Sequence, residues 1–188
     1  MTMISAADFE ARYRADPDPW GYLESGYERR KHAATLAACG PGPFACALEL
    51  GGSIGVFSAM LAPRCKRLMT IDLAPTAVWY ARTRLASYPQ ARAILGAIPK
   101  DLPERPFDLV VASEILYYLS DDDLDATLAL LERTMVDGAL LVAVHWRPSG
   151  PERPRNAEQS HAALAGQPWL SQVRSAGTDD YRLDVFSR

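Results

Sequence analysis

The stretch that decides the fold is Ala47-Leu48-Glu49-Leu50-Gly51-Gly52-Ser53-Ile54-Gly55, an apolar run that ends in an acid and breaks into a loop with three glycines. A second apolar run, Leu68-Met69-Thr70-Ile71, also ends in an acid, Asp72. Open parallel sheets bind ligands at the carboxyl ends of their strands, so an acid at the tip of the second strand is placed to take both hydroxyls of a ribose. The pair of strand ends predicts a nucleoside pocket.

Working outward, short apolar runs alternate with helical patterns, which predicts an α/β fold with a mostly parallel, doubly wound sheet. Strands are expected at Ala45–Leu50, Arg67–Asp72, Ala91–Leu95, Phe107–Ala112 and Ala139–Val144. Helices are expected from Ile54 to Leu61 and from Pro75 to Ser87, the latter opening on a first-turn proline. A leucine-rich helix capped near Ser120–Asp123 precedes the Asp137-Gly138 turn. Pro148 to Asn156, rich in proline, reads as a mobile surface loop. A helix at Ala157–Ala165 and two runs, Trp169–Ser175 and Tyr181–Phe186, predict a closing hairpin with an antiparallel last strand, seven strands in all. Residues 1–40 read as a helical flap interrupted by Asp16-Pro17-Asp18-Pro19-Trp20-Gly21, set over a Rossmann-like core at 41–188 within a single domain.

With 188 residues and 48% hydrophobic content the chain can bury one substantial core. A net charge of -3 with dispersed basic residues argues against a nucleic-acid partner. Cys39, Cys46 and Cys65 lack ligand spacing and read as thiols of a reducing compartment. The longest apolar run, Ala139–Val144, is too short to span a bilayer, and a cytoplasmic location is expected.

The loop itself narrows the ligand. A dinucleotide site wants glycine at the first, third and sixth positions, which here hold Gly51, Ser53 and Val56. A carboxylate at Glu49 would repel phosphate and attract a ligand bearing an ammonium and a sulfonium, as S-adenosylmethionine does.

In these features the chain resembles the class I S-adenosylmethionine-dependent methyltransferases, with Glu49 to Gly55 as the acidic glycine loop, Asp72 as the ribose acid and Pro106-Phe107-Asp108-Leu109-Val110 as the fourth-strand motif. A narrower resemblance is to the nodulation protein S (NodS) family. It is carried by Asp18-Pro19-Trp20-Gly21-Tyr22, Tyr27-Glu28-Arg29-Arg30-Lys31, Ser113-Glu114-Ile115-Leu116-Tyr117-Tyr118-Leu119, Val144-His145-Trp146 and Tyr181-Arg182-Leu183-Asp184-Val185-Phe186. The resemblance implies N-methylation of the glucosamine end of a deacetylated chitooligosaccharide. Other readings are a methyltransferase for a small natural-product amine or hydroxyl, and a non-catalytic adenosylmethionine-binding module.

The implied cofactor site comprises Trp20, Arg30, Glu49, Gly51, Gly52, Ser53, Gly55, Asp72, Leu73, Ala97, Ile98 and Ser113. Arg30 is expected to pair with the methionine carboxylate, pointing inward where Arg29 cannot. Gly96-Ala97-Ile98 stands where many class I enzymes carry an adenine-binding acid, so apolar contact and backbone amides are expected to hold the base. Methyl transfer asks chiefly for alignment and exclusion of water. Glu114 and His145 are the candidates to handle an acceptor proton, and Tyr118, with Trp20 and Trp146, could stack on a sugar. Asp121-Asp122-Asp123 reads as a solvated helix start, and no metal is expected. The expected partner is a small-molecule or oligosaccharide acceptor, with no membrane and a monomer or weak homodimer.

Overall fold

The computed structural model describes residues 4–148, 150 and 152–188. Its centre is a seven-stranded sheet of β1 (Ala47–Leu50), β2 (Leu68–Asp72), β3 (Ala91–Leu95), β4 (Phe107–Ser113), β5 (Met135–Trp146), β6 (Ser171–Gly177) and β7 (Tyr181–Ser187). The strand order is β3-β2-β1-β4-β5-β7-β6, and β7 runs antiparallel to both of its neighbours. The chain leaves β1 toward β2 and β3 on one side and returns to β4 on the other, which opens a crevice at the carboxyl ends of β1 and β4.

The described residues form six α-helices around the sheet: α1 (Ala6–Ala15), α2 (Gly26–Cys39), α3 (Val56–Leu61), α4 (Pro75–Arg84), α5 (Asp121–Thr134) and α6 (Ala157–Ala165). Strand alternation sends Val110 and Ala112 of β4 into one core, with α5 leucines and Leu164, and Leu109 and Val111 into the other, with Ala38, Phe57 and Leu61. Because both faces are covered, β1 is buried at every position. α1, α2, α5 and α6 each start at a side-chain cap, and α4 starts at a proline. Ser120 accepts from the Asp123 amide, Asn156 forms a capping box with Gln159, and Pro75 occupies the first turn of α4.

Several boundaries differ from expectation for identifiable reasons. β1 begins two residues late because the Ala45 and Cys46 amides donate to the Asp108 carboxylate at 2.6 and 2.9 Å instead of joining the ladder. α3 begins at Val56 because Gly55, at φ 78°, turns left-handed before it, and a Cβ there would lie 2.9 Å from the Ala81 Cα. β5 extends back to Met135, which pairs with Phe107. The helix after β2 ends at Arg84, and a 3-10 turn carries the chain to Ser87.

The loop after β5 is more firmly anchored than its prolines suggest, although its Ser149 and Pro151 lie outside the described residues. Arg155, 8% exposed, donates to the Leu116 and Leu119 carbonyls at 3.0 and 2.5 Å and pairs with Asp121. Arg153, equally buried, lies over the rings of Tyr117 and Trp146 at 4.5 and 5.2 Å. The N-terminal segment forms two helices, as expected. α1 is fixed to α4 by the Glu10 carboxylate, which accepts from the Thr76 amide and hydroxyl.

Candidate active site

A cavity of about 580 Å³ opens at the carboxyl ends of β1, β2 and β4, beneath α1 and α2. One side of it is built from Gly51, Ser53, Asp72, Leu73, Gly96, Ala97 and Ile98. Gly51 turns left-handed at φ 72°, and an added Cβ would press on Ile115 at 3.1 Å. Asp72 accepts from the Ser53 amide at 2.8 Å and the Ala74 amide at 3.0 Å. Burial raises its pKa while these backbone donors pull it back. The Ser53 hydroxyl, extra relative to a glycine, is engaged by the Tyr13 hydroxyl at 2.5 Å. That bond fastens the flap to the loop. Phe9, Tyr13, Trp20 and Tyr22 roof the cavity as one aromatic cluster, with Tyr13 and Trp20 edge to face at 5.2 Å.

The opposite side holds Ser113, Glu114, Tyr117, Tyr118 and Trp146 together with Tyr27, Glu28 and Lys31 of α2. Lys31, 3% exposed, donates to Glu28 Oε1 at 2.9 Å and to Glu114 Oε1 at 2.7 Å. Burial opposes its charge, but the two carboxylates outweigh it and raise its pKa, so Lys31 stays an ammonium. Glu114 Oε2 accepts from the Tyr117 hydroxyl and from the Trp146 amide at 3.0 Å. Among the described residues the two non-glycine residues with positive φ are Ser53 and Glu114, at 48° and 57°, and both line this cavity. Backbone strain thus gathers where function is expected.

Trp20, Gly51, Ser53, Asp72, Leu73, Ala97, Ile98, Ser113, Glu114 and Tyr118 are brought together in one cavity wall. The remaining assigned residues lie elsewhere. Arg30 is exposed and outside the wall, because the face of α2 that turns inward carries Tyr27, Glu28 and Lys31 at helical spacing. The inward cation is therefore Lys31. Glu49, 3% exposed, sits beneath the loop and accepts from the Ser58 hydroxyl. Burial pushes its pKa up to about 7, against the bond from Ser58. Gly52 and Gly55 shape the loop from behind; a Cβ on Gly52 would fall onto the Thr70 hydroxyl.

His145 is fully buried and absent from the cavity wall. The Leu116 amide donates to its Nε2 at 3.1 Å, so its proton sits on Nδ1 and is donated to His161 Nε2 at 3.0 Å. His161 Nδ1 donates in turn to Asp184 Oδ2 at 2.7 Å. Burial, reinforced by His161, holds the His145 pKa well below 6.5 and keeps the ring neutral. It supports the turn after Glu114 from behind.

Sequence reasoning missed Tyr13, Glu28, Lys31 and Arg153. For α2 the signal was present in the i, i+3 and i, i+4 spacing of Tyr27, Glu28 and Lys31. For Tyr13 and Arg153 it was not, since their partners lie far along the chain. Among the described residues no group of His, Cys, Asp and Glu is placed to hold a metal, and no helix is long and apolar enough to cross a membrane.

Comparison with known proteins places this geometry. The family model described as Nodulation protein S (NodS) matches residues 6–142. Nodulation protein S of Rhizobium tropici is 38% identical over 111 residues, 58% of this chain and 47% of the relative. The chain spans about half the length of the curated relatives it matches. The structure of the N-methyltransferase NodS from Bradyrhizobium japonicum WM9 in complex with S-adenosyl-L-homocysteine superposes with a TM-score of 0.88 at 26% identity, covering 98% of this chain and 99% of that one. A putative methyltransferase from Pseudomonas syringae is 37% identical with a TM-score of 0.76, covering 87% of this chain and all of that one. The α/β class I methyltransferase fold is thus shared throughout the sheet. The chain belongs to the nodulation protein S family.

Proposed function

We propose that this chain is a single-domain, S-adenosyl-L-methionine-dependent N-methyltransferase whose acceptor is the free amino group of a deacetylated glucosamine in a chitooligosaccharide. The observation that carries the reading is one cavity with two chemically distinct halves. One half joins a glycine turn, a strand-tip acid and an apolar slot; the other is a carboxylate-rich wall around Lys31. The likeness to a NodS structure holding S-adenosyl-L-homocysteine supports the same occupant for the first half.

The residues fit that ligand. Asp72 has spare lone pairs facing the cavity for ribose hydroxyls. Leu73, Ala97 and Ile98 would hold the adenine by apolar contact. Gly51 leaves room for the methionine moiety to approach the backbone. When bound, S-adenosylmethionine supplies a methyl group activated on a sulfonium. The protein's own work is to orient the acceptor and exclude water. Trp20 and Tyr13 close the roof, while Tyr118 and Trp146 offer stacking surfaces for sugar rings. His145 contributes through the Glu114–Leu116 turn it braces. Buried free thiols at Cys39, Cys46 and Cys65 suit a cytoplasmic setting, and a monomer or weak homodimer suffices because one chain supplies the whole cavity.

The test is incubation with S-adenosylmethionine and chitooligosaccharides bearing one deacetylated end, alongside other amino sugars and small amines, read by mass spectrometry. A single added methyl on the amino sugar is expected. Methylation of small amines alone would redirect the assignment of acceptor. Cofactor binding without transfer to any acceptor would reduce the chain to a binding module.

A further inference from the structure

We infer that Glu28 is the carboxylate that receives the acceptor's ammonium and takes its proton, with Glu114 and Lys31 holding it in place. This deepens the N-methylation reading and rests on it.

Glu28 is 7% exposed and lines the cavity. Its Oε1 accepts from Lys31, while its Oε2 is buried without a hydrogen-bond partner. The adjacent Tyr27 lines the same cavity, and its hydroxyl is likewise buried and unpartnered. Buried polar atoms nearly always find a partner, so two such neighbours in one cavity wall mark groups that a ligand completes. Glu114 is differently placed. Lys31, the Tyr117 hydroxyl and the Trp146 amide occupy both of its oxygens. Within the Glu28–Lys31–Glu114 cluster two carboxylates share one ammonium, and a protonated amine at Oε2 completes the match where a hydroxyl would not; the other cations of the cavity wall, Arg12 and Arg153, are engaged by Glu152 and by the Tyr117 and Trp146 rings.

The surroundings of Glu28 favour proton uptake. Burial raises its pKa and Lys31 opposes the rise; Glu114 and Asp18 add to it. His32 Nε2 lies 4.0 Å from Oε2, but burial and Lys31 bring that imidazole down to about 4, so it faces Glu28 uncharged. Tyr22 and Tyr27 are held in their neutral forms, first by burial. In the step, the ammonium gives one proton to Oε2 and the carboxylate becomes a carboxylic acid. The freed nitrogen lone pair forms the N–CH3 bond as the S–CH3 bond breaks, and that bonding pair stays on sulfur. The proton leaves to water after the methylated ammonium product departs.

The experiment compares the parent with Glu28→Gln, whose side-chain carbonyl still accepts from Lys31. The substrate is a chitooligosaccharide with one deacetylated end. At neutral pH kcat/KM is expected to fall about 100-fold, with recovery toward the parent rate as the pH passes the amine's own pKa and the amine arrives neutral. Calorimetry without cofactor is expected to show loss of at least about tenfold in affinity for this ligand, with no change for its fully N-acetylated counterpart. Glu28→Asp, which keeps the charge should the Gln variant fail to fold, is expected to lower the rate and retain the parent pH profile. Parent-like turnover by Glu28→Gln at neutral pH, a defect that alkaline pH does not relieve, or a Glu28→Asp profile displaced to alkaline pH would overturn the role of Glu28 and leave N-methylation standing. Failure of the parent to methylate any amine would instead remove the reading beneath it.

Discussion

Replacing Glu49 by Gln is expected to stabilise the protein, and to do so only where the carboxylate is charged. In the folded chain Glu49 is 3% exposed and holds its proton up to about pH 7, because burial outweighs the bond from Ser58. Its ordinary value is 4.5. Between those two values the folded state binds more protons than the unfolded state, so stability falls as pH rises and the deficit is complete above pH 7. At about 1.4 kcal/mol per tenfold change in proton affinity, the deficit reaches about 3 kcal/mol. Gln keeps an acceptor for the Ser58 hydroxyl without the charge. Urea unfolding at about pH 8.5 should show the variant more stable by about 3 kcal/mol, and the difference should vanish below about pH 4, where the carboxyl is protonated in both states. Adenosylmethionine affinity should stay close to the parent's, since Glu49 does not line the cavity. A stability difference that does not change with pH would refute the reasoning, and so would lower stability of the variant at alkaline pH.

Asp72→Asn should weaken adenosylmethionine binding about 10- to 100-fold, as two charge-assisted bonds become neutral ones; calorimetry reads this directly. Arg155→Met should destabilise by about 2–4 kcal/mol in urea unfolding, because the buried Leu116 and Leu119 carbonyls lose their donor. His32 falls from 6.5 to about 4 on folding, through burial first and Lys31 second. The unfolded chain therefore gains a proton first as pH drops below 6.5, and stability declines from there until pH 4. His32→Phe, which preserves ring packing against Tyr22 and Phe57, should flatten that decline by about 3 kcal/mol in melts at stepped pH.

The parts of this molecule that were legible in its sequence are those whose cause is local. Strand alternation, the proline opening α4 and the serine capping α5 depend on neighbouring residues, and the elements stand within a few residues of expectation. The placing of Gly51 and Asp72 in the cavity wall was legible for the same reason, because both stand at strand ends. Glu49 was misplaced because a residue number before a turn does not say which way a strand side chain points. The Glu114 side of the cavity was legible in composition but not in geometry. Glu114 is there, but Lys31 meets it across 83 positions of sequence, and His145 turns away from the cavity to face His161. Arg30 and Lys31 differ by one position, about 100° around a helix, and only packing selects which of them is inside.

The imidazole pair behind Glu114 joins four segments of the chain, the turn at Leu116, β5, α6 and β7. Its polarity is set at one end by a main-chain amide and at the other by Asp184 on β7, so neither ring can reverse its proton without breaking a bond. Asp184 is also held by Arg182, which reaches Glu158 at the surface. The terminal hairpin lies beyond residues 6–142, where the family model matches, and yet it is coupled to the Glu114–Leu116 turn at the cavity wall. A substitution in that outlying segment therefore reaches the Glu114–Leu116 turn through two imidazoles without altering a single residue of the cavity wall.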